Sequence, residues 1–108
     1  MTVPFVLSWS AMEALAAGCV VIGSRTPPVE EVVRDGHNGF LVDFFSPDKI
    51  AAKVVDAVRH REALADMRRN ARATILGRYD LATCLPRQVS FLHAVCGRDV
   101  MRWAGAAA

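Results

Sequence analysis

Apolar and polar positions change their spacing several times along the chain, and each change marks an element. Phe5-Val6-Leu7 is an unbroken apolar run. Met12, Leu15 and Ala16 then recur at helical spacing behind Ser8 and Ser10. Both serines suit a helix start, because a serine hydroxyl accepts from the free amides of a first turn. Gly18 ends that helix, as glycine does where a left-handed residue is needed. Val20-Val21-Ile22 is β-branched throughout and stands between glycines, which predicts a short strand buried on both faces, as in a parallel sheet. Thr26-Pro27-Pro28-Val29 predicts a turn and then a short helix through Val33, with proline pre-setting its first turn. Asp35-Gly36-His37-Asn38-Gly39 is turn chemistry, and Phe40-Leu41-Val42 is the second buried strand.

The second half is helical. Ser46-Pro47-Asp48 reads as a cap, a proline at the first helical position and an acid at the positive end of the dipole. Ile50, Val54, Ala57 and Val58 line one face of the helix that follows. Near Arg61 the pattern breaks, and Leu64, Met67, Ala71 and Ile75 form a second stripe. A third helix begins near Asp80, with Leu81, Leu85, Val89, Leu92 and Cys96 along one side. Pro86 either opens its regular part or kinks it.

The order is helix, strand, short helix, strand, three helices. It predicts an α/β fold with a short parallel sheet of two strands, or three if Phe5–Leu7 adds one, flanked by helices. A typical sheet has ~5–6 strands, so the chain reads as the C-terminal part of a doubly wound domain whose beginning is missing. Residues 1–97 make the domain and 98–108 a tail, without internal repeat or linker.

Composition sharpens this picture without redirecting it. A hydrophobic share of 53% in 108 residues describes a buried, globular chain and excludes disorder. Charge is uneven: residues 1–50 hold three basic and six acidic side chains, and residues 51–108 hold ten and five. Arg59, Arg61, Arg68, Arg69 and Arg72 supply much of the excess and read as a solvated helix face. No aromatic platform accompanies them, so nucleic acid is not an expected partner. Cys19, Cys84 and Cys96 lack metal-type spacing and read as small buried hydrophobes in a reducing compartment. No run reaches the ~20 apolar residues that span a bilayer. Residues 1–18 imitate a secretory signal, but no basic residue precedes the apolar stretch and Glu13 sits just before the cleavage-like alanines.

Glu13 is the anomaly, a single carboxylate on an otherwise apolar helix. Glu13-Ala-Leu-Ala-Ala-Gly-Cys-Val-Val-Ile-Gly-Ser24, then Pro28-Val-Glu-Glu-Val-Val-Arg-Asp-Gly-His-Asn-Gly-Phe-Leu-Val-Asp43, then Ser46-Pro-Asp48 follow in order. Together they resemble the C-terminal domain of GT-B-fold glycosyltransferases, and most of all the retaining family 4. The resemblance runs from about Pro4 to Tyr79, and the helix beyond resembles the family's closing helix. It implies a Rossmann-like domain that binds a nucleotide-diphosphate-sugar as co-substrate, with no bound cofactor and no metal.

The resemblance also assigns residues. The second member of the family's acidic pair falls on Glu13, which would accept hydrogen bonds from the donor's ribose hydroxyls. The first member falls on Phe5, which cannot play that part. Amides of Leu7, Ser8, Trp9 and Ser10 would face the diphosphate or sugar. Trp9 otherwise reads as a core or lid residue, and Glu31 as a first-turn helix charge. His37, His60 and His93 have no company that would make a catalytic base, and no catalytic residue is identified. The basic residues that clamp the diphosphate lie upstream in the family, as does the acceptor-binding domain. The expectation is therefore a fragment, inactive alone, that takes a donor and an acceptor of unknown identity once joined to its missing N-terminal domain. The alternative is a non-catalytic nucleotide-binding or assembly module completed by a partner chain. The expected location is cytoplasmic, or peripheral at the inner membrane face.

Overall fold

The computed structural model describes residues 7–96, so Phe5 and the tail beyond Cys96 lie outside the described residues. Within them the order is α1 (Trp9–Ala16), β1 (Ile22–Ser24), α2 (Pro27–Glu30), β2 (Phe40–Val42), α3 (Pro47–Arg59), α4 (Ala65–Arg78) and α5 (Leu81–Cys96). The fold class is α/β and helix-rich, as the alternation of patterns predicts. Two compact units divide the chain, one through Leu76 and one from Gly77.

In the first unit β1 and β2 pair in parallel, with Ile22 opposite Phe40, Gly23 opposite Leu41 and Ser24 opposite Val42. Among the described residues, Leu15 of α1, Val32, Val33, Leu41, Val42 and the α4 stripe Met67, Ala71 and Ile75 are the buried apolar side chains. The predicted α4 periodicity therefore names the residues that α4 buries. Gly18 has a φ of +74°, and its N–H donates to the Leu15 carbonyl while that of Cys19 donates to Ala14. That pair of bonds is a Schellman cap, which only a left-handed residue completes without strain. Arg72 of α4 adds a bond to the Ala16 carbonyl at 2.7 Å, a cation at the negative end of the α1 dipole.

Asn38 is the polar centre of this unit, with 1% of its surface exposed. Its Oδ1 accepts from the Arg34 amide at 2.7 Å. Its Nδ2 donates to the Val32 carbonyl and to Thr74 Oγ1, each at 3.0 Å. The turn before β2 is thus fastened to α4. Asn70 reinforces it by donating to the His37 carbonyl at 3.1 Å.

Several expectations need correction. The first strand is displaced from Val20–Ile22 to Ile22–Ser24, because its place is set by the hydrogen-bonded register with β2 rather than by its own apolar run. Neither Ser8 nor Ser46 makes a side-chain cap bond; Ser46 Oγ donates instead to Asp43 Oδ2 at 3.1 Å. The short helix stops at Glu30, so Glu31 is its C-cap and Glu30 its first-turn acid. Cys19 and Cys96 are exposed and Cys84 is partly so, and none is a core residue. The α3 stripe is not buried either: Val54 and Val58 are exposed. With Val20, Ile22 and Leu64 they border an open groove of about 640 Å³, which separates this face of α3 from the entry to β1.

The second unit is built on α5. Pro86 lies inside the helix, where its missing N–H leaves one carbonyl a turn earlier without its intrahelical donor. The stripe Leu81, Leu85, Val89 and Leu92 is exposed, Leu81 by 71%. No helix among the described residues is long and apolar enough to cross a membrane.

Candidate functional site

A cavity of about 380 Å³ opens where the start of α1 meets β1, lined by Ser8, Ser10, Ala11, Val21, Ile22, Gly23, Ser24 and Val29. Its place follows from the local fold. Leu15, fully buried, anchors the inner face of α1, which leaves the first turn at the rim. Ser24, at the carboxyl end of β1, supplies a buried hydroxyl. In open α/β sheets ligands collect at such strand ends.

The electrostatics come from the backbone. Ala11 and Met12 donate to the Ser8 carbonyl, and the amides ahead of them have no intrahelical acceptor. No acidic residue occupies the first turn of α1, and the Ser8 hydroxyl makes no cap bond. The positive end of the dipole is therefore not neutralised by α1's own side chains. Among the described residues, none that lines the cavity carries a charged side chain; what faces an anion there is N–H groups, hydroxyls and the dipole.

Of the five residues singled out from sequence, two serines line this cavity. Leu7 is half-buried and does not line it, and Trp9 is 83% exposed, so Trp9 is not a core residue. Glu13 is exposed and does not line the cavity. It stands one turn beyond Trp9 and Ser10 on the same helix face, since residues three and four apart are neighbours. Among the described residues it has no side-chain hydrogen bond or ion pair within the protein. His37 and His60 lie elsewhere in this unit, His60 bonded to Asp56 at 3.0 Å. Ser24, Gly23 and Val29 were missed as lining residues. Ser24 looks like a strand end in sequence, and only the fold turns it toward α1.

A second cleft, of about 530 Å³, lies beside β2 and α3 and is lined by Arg25, Asp43, Lys49, Lys53 and Asp56 around Leu41, Val42 and Ala52. Its charges are largely spoken for. Arg25 reaches Asp35 Oδ2 at 2.8 Å and Glu30 at 3.6 Å, and Lys53 sits 4.7 Å from the centre of the Phe40 ring. The Leu41 amide, donating to Asp35 Oδ1 at 3.0 Å, holds the Asp35 carboxyl below its ordinary value, with Arg25 adding to the effect. A carboxylate whose folded value is lowered stabilises above its unfolded value and loses that contribution as pH falls through the folded one. The urea midpoint of the protein should therefore drop on acidification below about pH 4, and drop less in Asp35→Asn. Equal acid sensitivity in the two proteins would contradict this role.

The sequence model of the family described as "Glycosyl transferases group 1" matches residues 6–74, well over half of the 108 residues. The match takes in α1 through most of α4, hence the whole lining of the cavity, and leaves α5 outside. Neither a curated protein nor a solved structure matched the chain. Matched model, parallel strands and intervening helices agree on one assignment. The chain belongs to the group 1 glycosyl transferases and has the α/β architecture of their GT-B type C-terminal domain.

Proposed function

We propose that the cavity at the start of α1 receives the diphosphate and sugar of a nucleotide-diphosphate-sugar, and that Glu13 takes the nucleotide's ribose. The supporting observation is the un-neutralised first turn of α1 opening onto a strand end, with Ser8, Ser10 and Ser24 around it. Transfer of a sugar from such a donor is chiefly positioning, plus stabilisation of the departing phosphate by fixed positive groups and amides. The amides of residues 7–10 supply part of this. A carboxylate accepts from two vicinal hydroxyls and donates none, which suits Glu13 to a ribose. It suits it poorly to the diphosphate, which would be repelled.

Among the described residues the cavity lining has no lysine or arginine; in this reading the cationic clamp and the acceptor site come from another domain or chain, and the described units transfer no sugar by themselves. A second reading, a binding or assembly module completed by a partner chain, draws on the exposed α5 stripe. Robust transfer by the 108-residue chain would refute the requirement for a second domain.

The direct test is nucleoside-diphosphate binding before and after Glu13→Gln. Losing a charge-assisted acceptor should weaken binding by roughly tenfold or more, with little change in stability, since the side chain is exposed. Equal affinity would remove Glu13 from the site.

A further inference from the structure

In a parallel ladder alternate residues turn both backbone groups to the same neighbour. Phe40 donates to the Val21 carbonyl and the Val42 carbonyl accepts from Arg25, so Phe40 and Val42 face β1. Leu41 between them faces the other way, along the outer edge of β2. Both of its outward groups are occupied by side chains. Its N–H donates to Asp35 Oδ1 at 3.0 Å, and its carbonyl accepts from Arg25 Nη2 at 3.5 Å. The same guanidinium nitrogen ties the two together through Asp35 Oδ2 at 2.8 Å. Two neighbouring outward carbonyls are occupied as well: that of Gly39 accepts from Gly36 and that of Asp43 from Ser46.

We propose that the Arg25–Asp35 pair is an edge guard, which keeps β2 of one molecule from pairing with β2 of a second copy of this chain. An edge strand with open N–H and C=O groups templates strand addition, and Phe40-Leu41-Val42 is rich in residues that favour strands. A second copy is the natural occupant because the edge is self-complementary. Antiparallel β2 strands related by a two-fold axis through Leu41 would exchange both Leu41 bonds. The guard occupies those very groups. It is supplied from outside the strand, Arg25 following β1 and Asp35 preceding β2. Glu30 holds the other side of the guanidinium, and Lys53 adds positive charge near Asp35.

The test uses the full chain under reducing conditions, with Asp35→Ala and Arg25→Gln compared with the parent by light scattering over a concentration series. Amide exchange is read at Phe40, Leu41 and Val42. In dilute Asp35→Ala the Leu41 amide should exchange roughly tenfold faster, while Phe40 stays protected by β1. Raising the concentration should increase the mass above that of the parent and restore Leu41 protection. Arg25→Gln should associate in the same direction but leave Leu41 protected when dilute. Folded variants that keep the parent's mass throughout would overturn the proposal, as would an unchanged Leu41 amide in Asp35→Ala. Loss of the fold in both variants would overturn it too, because the pair would then be required for folding rather than for guarding an edge.

Discussion

Asn38→Ala should lower the stability of the first unit by about 3 kcal/mol, the sum expected when one buried and two part-buried groups lose their partner at once. Asn38 is buried to 1% exposure and serves three groups: the Arg34 amide, the Val32 carbonyl and Thr74 Oγ1. Truncation leaves the buried Val32 carbonyl unmet and takes a partner from the part-buried Arg34 amide and Thr74 hydroxyl, and a buried unmet polar group costs more than the bond was worth. Asn38→Asp separates the contributions. Its carboxylate still accepts from the Arg34 amide but has no proton for the Val32 carbonyl. Thr74 already donates to the Asn70 carbonyl at 2.8 Å, so its hydroxyl is not free to turn. The aspartate variant should therefore be destabilised nearly as much, and more so at neutral pH than in acid, where the protonated form regains a donor. Urea titration at both pH values reads this; a loss below about 1 kcal/mol for Asn38→Ala would show that water reaches the site.

That residue also marks where sequence reasoning stops. Asp35-Gly-His-Asn-Gly39 was legible as a turn, because its residue types tolerate positive φ and bond locally. Nothing in the turn announces that Asn38 reaches Thr74, since the partner lies far along the chain on another helix. The α4 stripe was legible because burial there repeats at the helical period. The α3 stripe has the same period, yet it faces an open groove rather than the core. Periodicity tells which face is apolar, not what covers it. The first strand was displaced for a related reason: a three-residue strand takes its register from its partner, and a polar Ser24 joins as readily as an apolar Val20. At the site, the serines were found from their place at a helix start, a local feature. Ser24 was not, because it reaches the cavity only through the crossing of β1 and α1.

Leu15→Ala should be the most damaging apolar truncation in the first unit, at about 2–5 kcal/mol, the usual range for a buried leucine that leaves a cavity. Leu15 is fully buried and is the only buried residue of α1. Among the described residues its apolar companions in the core are Val32, Val33, Leu41, Val42 and the α4 stripe. A domain stable by ~5–15 kcal/mol would keep little reserve after this loss. The consequence reaches the candidate site without a direct contact. Ser8, Ser10 and the first-turn amides ride on α1, and Leu15 is what fixes that helix against the core. Under conditions where the variant remains folded, nucleoside-diphosphate affinity should fall, because amide geometry at a phosphate tolerates little displacement. Leu15→Met keeps the volume and should cost less than about 1.5 kcal/mol, with affinity nearly intact. The contrast is diagnostic: if Leu15→Ala lowers stability but leaves affinity untouched, the ligand does not depend on where α1 begins, and the cavity beside Ser8 and Ser10 is not the one that holds it.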